Sequence, residues 1–195
     1  MKSRKSLKSL VVMAGLVAGL GMNAQAMEVG GVKLDDTVKV ANQELKLNGA
    51  GLRTWAVFKV YAAGLYLPEK KKTVPDVMSV TGPRRIRLVL LRDVNNEELG
   101  QAFMDGLNAN SDKTEKAKFV NQTMKMGEIF ASIPKLSKGD TITVDWIPNS
   151  GSHVLVNDKR VGEVLPDLAF SNAFLRIWLG EKPVDNTLKQ ALLGS

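Results

Sequence analysis

Arg53 and Tyr61 are the side chains in this sequence best suited to hold a polar ligand atom. Both lie in Asn48–Leu67, NGAGLRTWAVFKVYAAGLYL, a stretch of aromatic and β-branched residues apolar enough to face a core. Arg53, Lys59, Tyr61 and Tyr66 interrupt it, and burying a cation or a hydroxyl is costly unless a partner satisfies it. A guanidinium fork offers paired donors suited to a carboxylate or an enolate oxygen, and a phenol supplies one more. The two positions share parity, so a regular strand points both to one face. Eight residues of straight strand would nevertheless hold them roughly 26 Å apart. Only a bulge, or a bend near Trp55–Phe58, brings them to one oxygen. Otherwise Arg53 is a surface residue beside a glycine turn and Tyr61 a core residue with a satisfied hydroxyl.

Other chemistries find little support. Cysteine is absent and His153 is the only histidine, so neither a Ser-His-Asp or Cys-His arrangement nor a histidine-rich metal site is written here. No acidic cluster has metal-ligand spacing, and no glycine-rich phosphate cradle is present. No cofactor is expected. His153 follows Gly151-Ser152 and reads as an exposed residue at a strand edge. Asn121-Gln122-Thr123 matches a glycosylation sequon but falls within a helical pattern.

The elements that would position Arg53 and Tyr61 can be read from periodicity. Glu28–Leu34 and Val38–Leu47 are expected as strands around Asp35-Asp36, with Asn48-Gly49-Ala50-Gly51 breaking the run before one long strand, Leu52–Leu67, that ends at Pro68. Thr73–Val80 reads as one or two helical turns with Pro75 in the first. Arg84–Leu91 alternates, with Arg85, Arg87 and Val89 on an outer basic face and Ile86, Leu88 and Leu90 inward. Asn95 or Asn96 caps a helix whose first turn carries Glu97 and Glu98, with an apolar stripe of Leu99, Ala102, Phe103, Gly106 and Leu107. A second helix is expected from Lys113 to Ser132. Thr141–Ile147, His153–Asn157 and Arg160–Val164 form a meander. Asp167–Leu179 and Val184–Leu193 close the chain as helices ending at Gly180 and Gly194. Strands early and late, with helices between and after, argue an α+β fold: an antiparallel sheet with helices on one face.

The first residues read as an export signal. Lys2, Arg4, Lys5 and Lys8 precede an apolar Leu10–Leu20, and Ala24-Gln25-Ala26 is a small-x-small cleavage pattern, so residues 1–26 are expected to be removed and 27–195 to remain as one domain in the periplasm. The apolar run is short of the roughly 20 residues of a spanning helix. Four of the 27 Lys and Arg fall in this segment, against none of the 20 Asp and Glu, which leaves the remainder near +3. The overall pI of 9.6 is thus partly a property of the leader, and nucleic acid is not an expected partner.

Asn48–Leu67 also resembles the signature of the chalcone isomerase family, in which a Gly-x-Gly-x-Arg turn leads to a Lys-x-Tyr-Ala-x-Gly-x-Tyr strand. Phe174–Gly180 (FLRIWLG) and Pro183–Gly194 are similar to the family's closing helices, so the resemblance spans nearly all of residues 27–195. It implies an open-faced β-sandwich, a large antiparallel sheet with a helical layer and an apolar cleft between them. The family holds isomerases and non-enzymatic fatty-acid binders. In the plant isomerases the Arg matching Arg53 polarises the substrate carbonyl. Tyr61 stands where those enzymes have Thr, Ile177 where they have a polar residue, and their active-site Tyr and Asn find no match in Arg92–Phe103. The fatty-acid-binding relatives resemble this chain at both Arg53 and Tyr61, the pair that holds the ligand carboxylate there. The reading is therefore a non-enzymatic binder of an apolar carboxylate such as a fatty acid, with Arg53 and Tyr61 as ligand-binding residues and with Met104, Met124 and Met126 on the covering helices. The alternative is an intramolecular lyase or isomerase acting on a chalcone-like enone with Arg53 as electrophile.

Overall fold

The computed structural model describes residues 26–133 and 135–195. The leader segment lies outside them except for Ala26, which begins the first strand. The expected strand Glu28–Leu34 is a hairpin instead, β1 (Ala26–Val29) and β2 (Val32–Asp35), turning at Gly30-Gly31 where both φ angles are positive. The main sheet contains β3 (Thr37–Val40), β4 (Gln43–Trp55), β5 (Phe58–Leu67), β6 (Arg84–Leu90), β7 (Thr141–Ile147), β8 (Gly151–Val156) and β9 (Lys159–Leu165). They pair antiparallel in sequence order, seven strands in all. The helices are α1 (Val74–Met78), α2 (Asn96–Asn110), α3 (Lys113–Lys118), α4 (Val120–Ser132), α5 (Leu168–Leu179) and α6 (Asn186–Leu192). The fold is the α+β arrangement expected: a curled antiparallel sheet with helices on one side.

Two departures decide where Arg53 and Tyr61 go. Asn48–Gly51 does not end a strand. It continues β4, with a bulge between Leu47 and Gly49 that reverses the parity of the strand. Before the bulge, Leu45 and Leu47 face the outer side with Tyr66, beneath the β1–β2 hairpin. After it, Gly49, Gly51 and Arg53 stand opposite Leu65, Ala63 and Tyr61, on the side of the helices. The glycines are there because α6 lies against them: a Cβ on Gly49 would meet the Ala191 carbonyl oxygen at 2.1 Å. Asn48 is buried and fastens the contact, its Nδ2 donating to the Leu192 carbonyl at 2.7 Å and to that of Lys71 at 2.9 Å.

The second departure is a hairpin turn at Ala56-Val57, which divides the expected Leu52–Leu67 strand into β4 and β5 with Trp55 paired to Phe58. No Gly, Asn, Asp or Pro marks this turn; Ala56 takes φ +52 with no Asn or Gly to ease it. Other local signals hold in part. Asn95 and Glu98 form a reciprocal capping box on α2, Asn95 Oδ1 accepting from Glu98 N at 2.8 Å and Glu98 Oε2 from Asn95 N at 3.1 Å. The helix expected from Lys113 to Ser132 is interrupted at Phe119, whose ring drops into the core and meets Phe170 edge-on at 5.8 Å. His153 is not at a sheet edge. It lies on β8 between β7 and β9, half-buried, with Nε2 2.8 Å from Ser150 Oγ. The basic face of β6 is neutralised by neighbours, Arg85 meeting Asp145 bidentately at 2.6 and 2.7 Å.

Candidate functional site

The β4–β5 hairpin makes Arg53 and Tyr61 direct cross-strand partners. What a straight strand would hold roughly 26 Å apart is one rung of a ladder, with Cβ atoms about 5 Å apart in such pairs. A second register shift, between Arg53 and Thr54, makes Val60 the extra residue of β5, so that Arg53 and Tyr61 share a rung on the helix side. A cleft of about 770 Å³ opens over this rung. The hairpin supplies Arg53, Trp55, Val60 and Tyr61; α2 supplies Gln101, Ala102, Asp105, Gly106 and Ala109; Pro183 and Val184 complete the wall ahead of α6.

Each of the two residues has a neighbour that no local pattern announced. Arg53 Nη1 lies 3.5 Å from Asp185 Oδ2 and also donates to the Thr54 carbonyl. Asp185 is the N-cap of α6, its Oδ1 accepting from Leu188 N at 3.0 Å, while the Thr54 N–H reaches Oδ2 at 3.4 Å. Partial burial works to raise the Asp185 carboxyl, but the backbone N–H groups of Leu188, Thr54 and Thr187 and the Arg53 charge outweigh it and hold the group below the usual carboxylate range. The glycines of β4 are what bring it there, since they let α6 descend until its first turn meets Arg53.

Tyr61 accepts a hydrogen bond from Trp178 Nε1 at 2.9 Å. Burial raises its pKa to about 12, against the opposing pulls of the Trp178 N–H and the Arg53 charge. At neutral pH it is therefore a phenol, not a phenolate, and with its lone pair engaged by Trp178 its O–H can donate. A permanent cation and a neutral donor on one rung suit an anionic oxygen. They do not supply a general base.

Residues 26–194 match a family model described as chalcone isomerase-like. The chain belongs to the chalcone isomerase-like family. No curated protein matches it. Among solved structures, a fatty-acid binding protein of Arabidopsis thaliana superposes with a TM-score of 0.66 at 18% identity, covering 84% of this chain and 92% of that one. At that identity the likeness is one of fold.

The three methionines of this chalcone isomerase-like chain lie on α2 and α4 as expected, but none lines the cleft: Met126 is buried in the core, and Met104 and Met124 are exposed. Deeper between sheet and helices the space is filled, because Phe103, Phe130, Phe174 and Trp178 pack there in a chain of ring contacts at 5.3–6.0 Å. Ile177 belongs to this filling and presses on Gly106 of α2, where a Cβ would meet its Cγ2 at 2.7 Å. The cleft therefore lies at the hairpin end of the helical layer, with Arg53 and Tyr61 at its base.

Proposed function

We propose that this protein is a non-enzymatic binder of an apolar carboxylate, such as a fatty acid, that works outside the cytoplasm after export. The observation that carries the reading is the Arg53–Tyr61 rung at the base of the 770 Å³ cleft. The guanidinium would hold the carboxylate with a charge-assisted bond of about 1.5–3 kcal/mol, Tyr61 would add a neutral donor, and the walls formed by Trp55, Val60, Ala102, Ala109, Pro183 and Val184 would cover part of the alkyl chain. The fatty-acid binding neighbour, of like fold, supports the same class of ligand. Export rests on the basic-apolar-small pattern of residues 1–26.

Calorimetry with hexadecanoic acid and hexadecanol tests the reading, because the tail burial cancels in the comparison. The acid should bind more tightly, Arg53→Ala should remove most of the difference, and Tyr61→Phe should remove less. Equal affinities for acid and alcohol in the unaltered protein would end the anchor role of Arg53. Ring closure of a chalcone that disappears in Arg53→Ala would put an isomerase in place of the binder.

A further inference from the structure

We infer that the β4–β5 hairpin tip, Trp55-Ala56-Val57-Phe58, is a docking element that inserts into an anionic lipid surface and brings the mouth of the cleft to it. The tip concentrates apolar exposure: Val57 is 87% exposed, Trp55 65% and Phe58 59%. Scattered apolar residues on a surface are ordinary, but three large ones on a four-residue projection form a contiguous patch. The turn chemistry points the same way. A two-residue hairpin turn is ordinarily served by Asn-Gly or Gly-containing pairs, yet here an alanine takes a left-handed conformation and a β-branched valine occupies the apex. The position that turn stability would give to a polar or flexible residue is held by an aliphatic one.

The shape and the charges decide between occupants. The tip is a convex projection, whereas recognition of a peptide strand or helix uses a groove or an unpaired sheet edge. Trp and Phe on such a projection suit the boundary between headgroups and acyl chains, where an aromatic ring is buried and an indole N–H stays wet. At the base of the tip Lys59 and Lys138 line one shallow hollow, and neither has a carboxylate within salt-bridge distance among the described residues. The nearby Asp93, Glu98 and Asp185 are already paired with Lys135, Arg92 and Arg53, while Glu97 and Asp105 stand on the α2 wall of the cleft. Two unpaired ammonium groups beside an apolar wedge match anionic headgroups. Trp55 belongs to both the tip and the cleft wall, so the wedge adjoins the cleft that holds the Arg53–Tyr61 rung.

Val57 and Phe58 do not line the cleft, which separates this inference from the ligand reading in one experiment. The unaltered protein, the Val57→Ser/Phe58→Ser variant and the Lys59→Gln/Lys138→Gln variant, all isolated in the same processed form, are floated with vesicles of phosphatidylglycerol or of phosphatidylcholine alone. The unaltered protein should partition onto phosphatidylglycerol. The tip variant should lose at least tenfold in partitioning while its calorimetric affinity for dissolved hexadecanoic acid stays as it was. The lysine variant should lose the preference for phosphatidylglycerol over phosphatidylcholine. Partitioning of the tip variant equal to that of the unaltered protein, or no partitioning of the unaltered protein, would overturn the inference. So would concentration-dependent self-association that vanishes in the tip variant without vesicle binding, since the tip would then be a contact between copies of this chain. If acid binding fails while the vesicle result holds, the ligand reading falls alone.

Discussion

Replacing Asp185 by Asn should tighten binding of a long-chain carboxylate, because in the free protein Asp185 occupies the position at Arg53 that a ligand carboxylate would seek. The pair is separated by 3.5 Å, with side chains 22% and 12% exposed. At an effective dielectric near 20 the bare attraction at that distance is about 5 kcal/mol. Desolvation, screening and side-chain ordering reduce the net worth of partly exposed pairs to about 1 kcal/mol or less. A ligand must displace or share this interaction and also approach a like charge, so removing the Asp185 charge should strengthen acid binding by about 1 kcal/mol, or roughly fivefold. Asparagine caps helices as well as aspartate does, so α6 should keep its first turn and its seat on Gly49 and Gly51. Calorimetry with hexadecanoic acid and hexadecanol on both proteins reads the effect, and a thermal melt checks that the fold is retained. The alcohol should bind both proteins equally. Weaker acid binding to Asp185→Asn, or an equal gain for the alcohol, would refute the competition and with it the placement of the ligand head group at Arg53.

The only two tyrosines, Tyr61 and Tyr66, both have pKa values raised by burial to about 12, so a spectrophotometric titration should show no phenolate step near pH 10. The native state keeps protons that the unfolded chain releases there; the stabilisation they lend is complete below pH 10 and is lost as pH rises toward about 12, where ionisation and unfolding should coincide. Gly49→Ala should destabilise by about 3 kcal/mol, since its Cβ meets backbone rather than a movable side chain, whereas Gly100→Ala, with nothing within 4 Å on a helix, should stabilise by up to about 1 kcal/mol. Chemical denaturation compares them. Protein purified from its host envelope should begin at Met27, and peptide mass data showing retention of residues 1–26 would turn the leader into an anchor.

Local signals made much of this fold legible. The alternation of Arg84–Leu90, the Asn95–Glu98 capping box, the meander turns and the two closing helices depend on residues within a few positions of one another, and the structure has them where the pattern puts them. The residue types at Arg53 and Tyr61 were equally plain. Their juxtaposition was not, because it depends on a turn made by Ala56 and Val57, neither of which favours turning. The Gly49–Gly51 segment misled for a related reason: glycine is permissive in a turn and also where another backbone approaches closely, and only the presence of α6, more than a hundred residues later, distinguishes the two. The roles of Asp185 and Trp178 were not legible in the sequence. Asp185 falls within the expected Val184–Leu193 helix and Trp178 within the FLRIWLG helix, and each meets its partner only where a helix packs on the sheet. The sequence by itself determined the α+β class, most of the elements and the residue types available at the candidate site, since those are properties of short windows. The tertiary structure alone decided which of those side chains share a cleft, because bulges, a propensity-poor turn and one close helix–sheet contact set distances that no local window contains.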